Sequence, residues 1–546
     1  MRTFGLLLAL MLFAVTTVTA VDAQVVSSDF HTMPYLQRPE PGAMSIRWMS
    51  RSDAPGEVRL WRIGGSKQDS MRQVTEPQQV SALAMSSDEA VAAQLSPAWP
   101  APWRHHVRFE GLQASQRYGY VVKQGNQERS GVFRTPPRRD ERRAIKLAVF
   151  ADSETEPEST GKPSPWAALG DLRGDRKYLV DQTAGLVANL KSIRDFAPEL
   201  MLIAGDLVES GGEQRDWSEF WLRFTDGDAL TSGVAGNSVL LPALGNHEYF
   251  AGPQLGRYSQ PGSEDAVARY LAYFDLPDNE APHPSHRGRY YRTDYGPITI
   301  IVLDVNNGAP QGNEADTNYY LLGEGDIGGP DNGKGGAPNF LPGSRQYQWL
   351  EAQLKDAQKT AAFTFVVLHQ CPYSSGPHGR PAGVLKGQDP LSGRPVQRIV
   401  PLMIEYGVDA IFSGHDEMYE HSIIVGAEFL GEGDARSAEG RPHRLHVFDV
   451  GIAGDGLRGP DPEVENPHRR FIAHHHDHET WAGNQLLRGG KHYGHLQIVV
   501  MPTENDGWRA ELTPVYLIPR VVSGRPTTFD LMKYNDRVEL TYTPSK

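Results

Sequence analysis

Val239-Leu240-Leu241-Pro242-Ala243-Leu244-Gly245-Asn246-His247-Glu248 sets an apolar run against a glycine and three polar side chains of metal-ligating or proton-carrying type. A run apolar on both faces is expected of a strand covered on both sides. The glycine lets the backbone turn off the strand end without a Cβ clash, aiming the next side chain outward. Four other runs end in a ligand type: Val149-Phe150-Ala151-Asp152, Ile203-Ala204-Gly205-Asp206, Val366-Val367-Leu368-His369, and Ile411-Phe412-Ser413-Gly414-His415-Asp416-Glu417. Strand carboxyl ends in an open α/β sheet meet along one edge, so ligands dozens of residues apart can converge on one site. Between the runs, Tyr178 to Phe196 and Gln346 to Lys359 carry helix-spaced apolar residues with charged opposite faces. Residues 138–520 therefore read as a layered α/β domain.

Upstream, from about Phe30 to Phe133, short segments such as Met44-Ser45-Ile46-Arg47-Trp48 and His106-Val107-Arg108-Phe109 alternate apolar and polar residues with turn residues between them. Period two predicts half-buried antiparallel strands, and residues 24–137 read as an all-β sandwich. Arg134-Thr135-Pro136-Pro137-Arg138-Arg139-Asp140 breaks the pattern, because consecutive prolines cannot continue a ladder, and sets the boundary. Residues 521–546 read as a C-terminal tail. Gly323 to Gly336 and Pro460 to Trp481 read as insertions, the first rich in glycine and the second in His and Asp.

At the other end, Arg2 precedes the apolar run Phe4 to Val15 and small residues up to Ala20 and Ala23. This is the anatomy of a secretory signal peptide over residues 1–23, cleaved after Ala20 or Ala23. The run is shorter than the roughly 20 residues that span a bilayer. A secreted or periplasmic protein with the single cysteine Cys371 has no internal disulfide. Its 546 residues include 39% hydrophobic and 22% charged residues, which excludes wholesale disorder and a polytopic membrane protein. With 54 Lys plus Arg against 67 Asp plus Glu, a formal charge of -13, a broad nucleic-acid or anionic-membrane surface is not expected. The oligomeric state is not legible.

A lone Asp after a strand is commonly a helix cap, and a lone His a packed core residue. The ordered set carries the inference. Asp, Gly-Asp, Gly-Asn-His-Glu, a strand-end His and Gly-His resemble the metallophosphoesterase (calcineurin-like) superfamily, most closely the purple acid phosphatase branch. Tyr290-Tyr291-Arg292-Thr293-Asp294-Tyr295-Gly296-Pro297 before a strand ending Leu303-Asp304, then Gln346-Tyr347-Gln348-Trp349-Leu350, add to that likeness. So does the leading sandwich, similar to the fibronectin-like domain of that branch. The resemblance implies an α/β metallophosphoesterase sandwich and hydrolysis of phosphate esters by in-line attack of a metal-bridging hydroxide. By the same resemblance Asp206 bridges two divalent metals, Asn246, His369 and His415 complete one, Asp152 binds the other, and His247 faces the phosphate as the catalytic residue.

Three positions depart from the branch. Its Tyr after Gly-Asp is Glu209 here, so the protein is expected not to be purple; its second His of Gly-His-x-His is Glu417; and the first motif is Asp152-Ser153-Glu154. Asp152, Asp206, Glu417 and Glu154 would then form a carboxylate-rich position favouring Mn²⁺, Fe, Mg²⁺ or Ca²⁺ over Zn²⁺. His378 and Arg380, on the Gly/Pro loop after His369, are candidates for binding substrate phosphate, with an ordinary solvated loop as the alternative. Cys371 reads as a small packed residue. Two features leave room for a further cation: His474-His475-His476-Asp477-His478, and Glu156 with Glu158. The competing functional reading is a secreted binding or adhesion protein with a degenerate metallophosphoesterase domain.

Overall fold

A computed structural model describes residues 29–544 except 66–69, 156–181, 226–232, 253–261, 307–313, 320, 322–336, 427–442, 476–479, 483–484, 489 and 523–524. The signal-peptide reading, Glu156, Glu158, His476, Asp477, His478 and the whole of the glycine-rich insertion lie outside the described residues.

The N-terminal strands are β1 (Phe30–Glu40), β2 (Ala43–Ser50), β3 (Gly56–Arg62), β4 (Met71–Thr75), β5 (Gln78–Gln79), β6 (Trp103–Phe109), β7 (Arg117–Gln124) and β8 (Gln127–Arg134). They form two antiparallel sheets, β1-β2-β6-β5 and β4-β3-β7-β8. Alternation decides which side chains meet between them: Ile46, Trp48, Val58, Leu60, Val107, Tyr120 and Val122 share one core. This is a β-sandwich. It packs on the next domain through Tyr35, whose hydroxyl donates to the Tyr273 carbonyl at 2.7 Å, and Tyr120, which donates to the Gly236 carbonyl at 2.7 Å.

The second domain is built on β9 (Ile145–Phe150), β10 (Leu200–Ile203), β11 (Val239–Pro242), β12 (Tyr291–Tyr295), β13 (Ile298–Val302), β14 (Phe363–Gln370), β15 (Ala410–Gly414), β16 (Tyr419–Val425), β17 (Arg444–Val450) and β18 (Arg469–Ile472). A short hairpin, β19 (Thr480–Ala482) and β20 (Gln485–Arg488), precedes β21 (Gly494–Pro502), β22 (Trp508–Val522), β23 (Arg525–Lys533) and β24 (Val538–Tyr542). One mixed sheet runs β11-β10-β9-β21-β22-β23, with β24 also on β22, and the other runs β12-β13-β14-β15-β17-β16-β18. Strands β9, β10 and β11 are parallel, as are β13, β14, β15 and β17.

The two faces of the first sheet enter different cores. Leu147 and Val149 face Phe365, Val367 and Phe412 of the second sheet, whereas Ala148 and Phe150 pack with Leu186 of helix α2 (Gln182–Phe196) and Trp217 and Trp221 of α3 (Gln214–Thr225). Helix α1 (Ser87–Ala92) lies in the sandwich domain, and α4 (Gly262–Tyr273) adds Tyr270 and Tyr273 to the α3 layer. On the far side, Leu350 and Leu354 of α5 (Arg345–Thr360) and Leu402 and Met403 of α6 (Val400–Glu405) cover Ile301, Val366 and Ile411. Helices, two sheets and helices again make the layered α/β sandwich, and strands buried on both sides explain the uninterrupted apolar runs.

Residues 521–546 are not a tail. Strands β23 and β24 both pair antiparallel with β22, and Asp536 accepts from the buried Tyr419 hydroxyl at 2.8 Å.

Candidate metal centre

The parallel strands of both sheets end at one place. The Ala151 N–H donates to the Val450 carbonyl at 3.0 Å, Asp152 N–H to Gly205 at 3.2 Å and Ser153 N–H to Asp206 at 2.9 Å, which ties the exits of β9, β10 and β17 together. Among the described residues, eleven non-glycine residues have positive φ, and Asp152 (56°), Asp206 (48°), His415 (92°) and Glu417 (41°) are four of them. That conformation is costly for residues with a Cβ and concentrates where the surroundings force a side chain into a set direction. Close backbone approach demands glycine beside them. With φ at +89°, a Cβ on Gly205 would lie 2.6 Å from His369 Nδ1, and one on Gly245 would collide with the Asp206 carboxylate.

Asp206, His369 and His415 each offer a donor atom within 4.8 Å of the other two, all buried. Tautomers follow from the outer partners. His369 Nδ1 lies 2.8 Å from the Ala204 carbonyl and donates to it, which leaves the lone pair on Nε2. That nitrogen is 2.9 Å from Asp206 Oδ2 and 3.0 Å from Asn246 Oδ1. Three lone-pair atoms so placed repel one another unless a proton or a cation lies among them. In the ion-free chain the ring takes the proton: burial opposes its charge, but the Asp206 carboxylate outweighs burial and raises His369 to about 9. His415 Nε2 donates to the Leu391 carbonyl at 2.7 Å, leaving Nδ1 as its open nitrogen. Burial and the neighbouring His378 and His369 hold His415 well below the usual imidazole range, which favours the neutral ring.

A second group, Glu154, Asp206 and His247, shares Asp206 with the first. Asp152 accepts the His415 N–H at 2.9 Å, and burial, with Asp206 adding to it, pushes its carboxyl up to about 8. Among the described residues, neither oxygen of the buried Glu154 has a hydrogen-bond partner. Buried carboxylates left unsatisfied, facing imidazole lone pairs, are a donor set that fits bound cations. His247 stands at the edge. Its Nδ1 donates to the Glu209 carbonyl at 2.8 Å, and its Nε2 is 3.9 Å from Asp206 Oδ2. Burial lowers its basicity, but Asp206 and Glu209 outweigh that and the net shift is upward.

Sequence reasoning quoted Glu248 without a role. The fully buried carboxylate accepts from Gly245 N–H at 2.7 Å and Asp206 N–H at 3.1 Å on one oxygen, and from Leu207 at 2.8 Å and Val208 at 3.4 Å on the other, lacing the two ligand turns together. Asp455 was missed altogether. It forms a third group with Glu154 and Glu417, so Glu417 meets this pair rather than Asp206. The apolar run Leu445 to Val450 followed by Gly451 was the available signal, obscured because His446 and Asp449 interrupt it.

His378 lies over the site, its ring stacked 3.7 Å from that of His415, with Nδ1 on Asp389 at 2.6 Å and Nε2 accepting from Arg458 at 3.0 Å. Arg380 is committed elsewhere, to Asp461 at 2.6 Å and Glu463 at 3.2 Å; the guanidinium beside the carboxylates is that of Arg458, paired with Glu417. Cys371 is buried, and burial pushes its thiol far up. His474 is buried and bonded to the Arg458 and His492 carbonyls.

A calcineurin-like phosphoesterase family profile matches residues 165–418. An uncharacterized protein of Mycobacterium tuberculosis is 26% identical over 326 residues, covering 58% of this chain and 50% of its own length. Purple acid phosphatase 22 of Arabidopsis thaliana is 24% identical, covering 58% and 53%. The chain thus spans about half the length of the curated relatives it matches. In fold it is similar to purple acid phosphatase PPD1 from yellow lupin (Lupinus luteus) seeds, with a TM-score of 0.54 at 14% identity over 92% of this chain and 74% of that one. PhoD is similar at a TM-score of 0.51 and 14% identity, over 95% and 91%.

Proposed function

We propose that the chain belongs to the metallophosphoesterase superfamily, with a relationship to the purple acid phosphatases, and that it is an exported, metal-dependent phosphoric ester hydrolase. The observation that carries this reading is the set of three lone-pair atoms, His369 Nε2, Asp206 Oδ2 and Asn246 Oδ1, brought within about 3 Å where only a positive centre reconciles them. Asp206, Asn246, His369 and His415 would hold one divalent cation, and Asp206, Asp152 and Glu154 a second. Bound there, the pair would neutralise phosphoryl oxygens and make coordinated water acidic enough to attack phosphorus near neutral pH.

The chain's own residues supply the rest. Asp206, whose carboxylate accepts the His247 N–H at 2.9 Å and whose own N–H donates to Glu248 at 3.1 Å, would belong to both positions. His247 holds its proton on Nδ1 toward Glu209, and with Nε2 3.9 Å from Asp206 Oδ2 a protonated ring would donate to the leaving oxygen of an ester held at the site. His378, wedged between Asp389 and Arg458 above His415, walls the side on which an ester would lie. In-line displacement then needs no covalent intermediate on the protein. Carboxylates predominate around Asp152 and Glu154, so Mn²⁺, Fe, Mg²⁺ or Ca²⁺ suits that position better than Zn²⁺. Among the described residues no helix is long and apolar enough to cross a membrane.

The test is a matrix of chromogenic phosphomonoesters and phosphodiesters against Mn²⁺, Mg²⁺, Ca²⁺ and Zn²⁺ on the mature chain, with metal content measured in parallel. Turnover that tracks cation occupancy supports the reading. Full occupancy without turnover on either ester class returns the chain to a binding or adhesion role.

A further inference from the structure

We propose that Arg458 is the specificity-determining residue of this centre, a guanidinium that receives the terminal oxygens of a phosphomonoester dianion and so favours monoesters over diesters; this rests on the reading above. Arg458 spans the donor set. At one end its Nε faces Glu417, which groups with Glu154 and Asp455, and at the other its Nη1 donates to Nε2 of His378 at 3.0 Å, whose ring is stacked 3.7 Å from that of His415. Among the described residues Nη2 has no hydrogen-bond acceptor. Exposure rises along the ion pair: the Glu417 side chain is 6% exposed and that of Arg458 43%, so the carboxylate lies within and the guanidinium stands where the site meets solvent.

This arginine is fixed along its whole length. Its N–H donates to the Glu417 carbonyl at 2.9 Å, and its own carbonyl meets Nδ1 of the buried His474 at 3.1 Å. At the tip, Asp389 draws the His378 proton to Nδ1 across 2.6 Å, which leaves Nε2 as the acceptor that holds Nη1. A fork held in this way loses little freedom on meeting a phosphate, and its planar N–H groups match two oxygens at once. Neither neighbouring cation offers the same. Lys491, close enough to feel both Glu417 and Arg458, is buried, with Nζ donating to the Leu457 carbonyl at 3.4 Å, and Arg380 is paired with Asp461 and Glu463. A phosphomonoester dianion has one more terminal oxygen and one more negative charge than a diester. The guanidinium therefore gains more from the monoester, both in Coulomb attraction and in the oxygens within its reach.

The experiment uses the full mature chain loaded with Mn²⁺, with cations counted per chain, and compares p-nitrophenyl phosphate with bis(p-nitrophenyl) phosphate. Arg458→Gln should lower kcat/KM on the monoester by about 10- to 100-fold, the worth of a hydrogen bond to a charged group, and on the diester by less than about threefold. Arg458→Lys, which keeps the charge and loses the fork, should fall between. Equal losses on the two esters, or no loss on the monoester, overturn the proposal. Equilibrium dialysis with radiolabelled inorganic phosphate reads the same contact without turnover: affinity should fall with Arg458→Gln at unchanged cation content, and unchanged affinity overturns the proposal. Should Arg458→Gln lose its cations, Arg458→Lys decides by the same comparison of esters and of phosphate affinity. A wild type that hydrolyses neither ester yet binds phosphate through Arg458 removes the hydrolase reading and supports this site. A wild type that hydrolyses both, with the ratio between them unmoved in the variants, removes this site alone.

Discussion

Glu248→Gln is the substitution whose cost can be worked most directly from the geometry. The side chain keeps its shape, but one carboxylate oxygen becomes an amide that can only donate. All four partners of Glu248 are backbone N–H groups, from Gly245 and Asp206 on one oxygen and from Leu207 and Val208 on the other. Whichever way the amide turns, two buried N–H groups lose their acceptor and meet another donor. An unsatisfied buried donor costs about 1 to 3 kcal/mol, so the pair amounts to roughly 2 to 6 kcal/mol before relaxation. Against a typical total stability of about 5 to 15 kcal/mol, that is a large share. Burial itself, with Asp206 adding to it, pushes the Glu248 carboxyl up to about 7, and the N–H groups of Gly245 and Leu207 pull it back.

The damage should not stop at stability. Two of the four N–H groups precede or carry ligands, since Gly245 leads into Asn246 and Asp206 is itself the shared carboxylate. Loosening those turns should lower cation affinity by about 10- to 100-fold, the usual effect of losing a group that orients a ligand. Thermal unfolding of the ion-free chain and chelator-competition titration with Mn²⁺ measure the two effects separately. An unchanged melting temperature together with unchanged affinity would refute the argument that this carboxylate laces the turns together.

Replacing His247 by Ala should lower kcat by about 10² to 10⁴ while leaving the position of Asp206, His369 and His415 loaded, because His247 is not among the donors of that group; a chain that holds no cation there would contradict this. Asp206→Asn should reduce occupancy at both dinuclear positions, checked by metal analysis, and a chain retaining two cations would remove Asp206 as the bridge. Glu420 gives a pH signature away from the ligands: burial pushes its carboxyl from an ordinary 4.5 up to about 7, against hydrogen bonds from Ser375 and Asn466. A raised carboxyl means that the folded chain binds the proton more tightly, so this contribution is complete below about pH 4.5 and is lost as pH rises toward 7, at most about 3 kcal/mol. Denaturant unfolding between pH 4.5 and 7.5 should show a shallower decline in Glu420→Gln than in the wild type, and identical slopes would exclude Glu420 as the source.

What could be read from the chain and what could not divide along one physical line. Apolar runs ending in Asp152, Asp206, Asn246, His369 and His415 were legible because strands buried on both faces leave an unbroken hydrophobic signature, and an α/β sheet carries strand ends to one edge whatever the sequence distance. Strand β17 escaped that grammar: His446 pairs with His421 at 2.9 Å and one oxygen of Asp449 accepts from the Gly451 N–H at 3.2 Å, so buried polar residues sit where an apolar run was sought. With β17 unread, Asp455 had no place in the site, and Glu417 was left to be assigned to the only metal pair in view. Arg380 and Arg458 make the same point for the cations. Both follow glycine-bearing loops, and only tertiary ion pairing, Asp461 with one and Glu417 with the other, decides which guanidinium stands at the centre. The substitution of Glu417 for an imidazole therefore looks degenerate only while it is judged alone; placed beside Asp455 and a Glu154 whose oxygens have no hydrogen-bond partner among the described residues, it leaves an oxygen donor where a nitrogen would stand, which would shift that position toward harder cations.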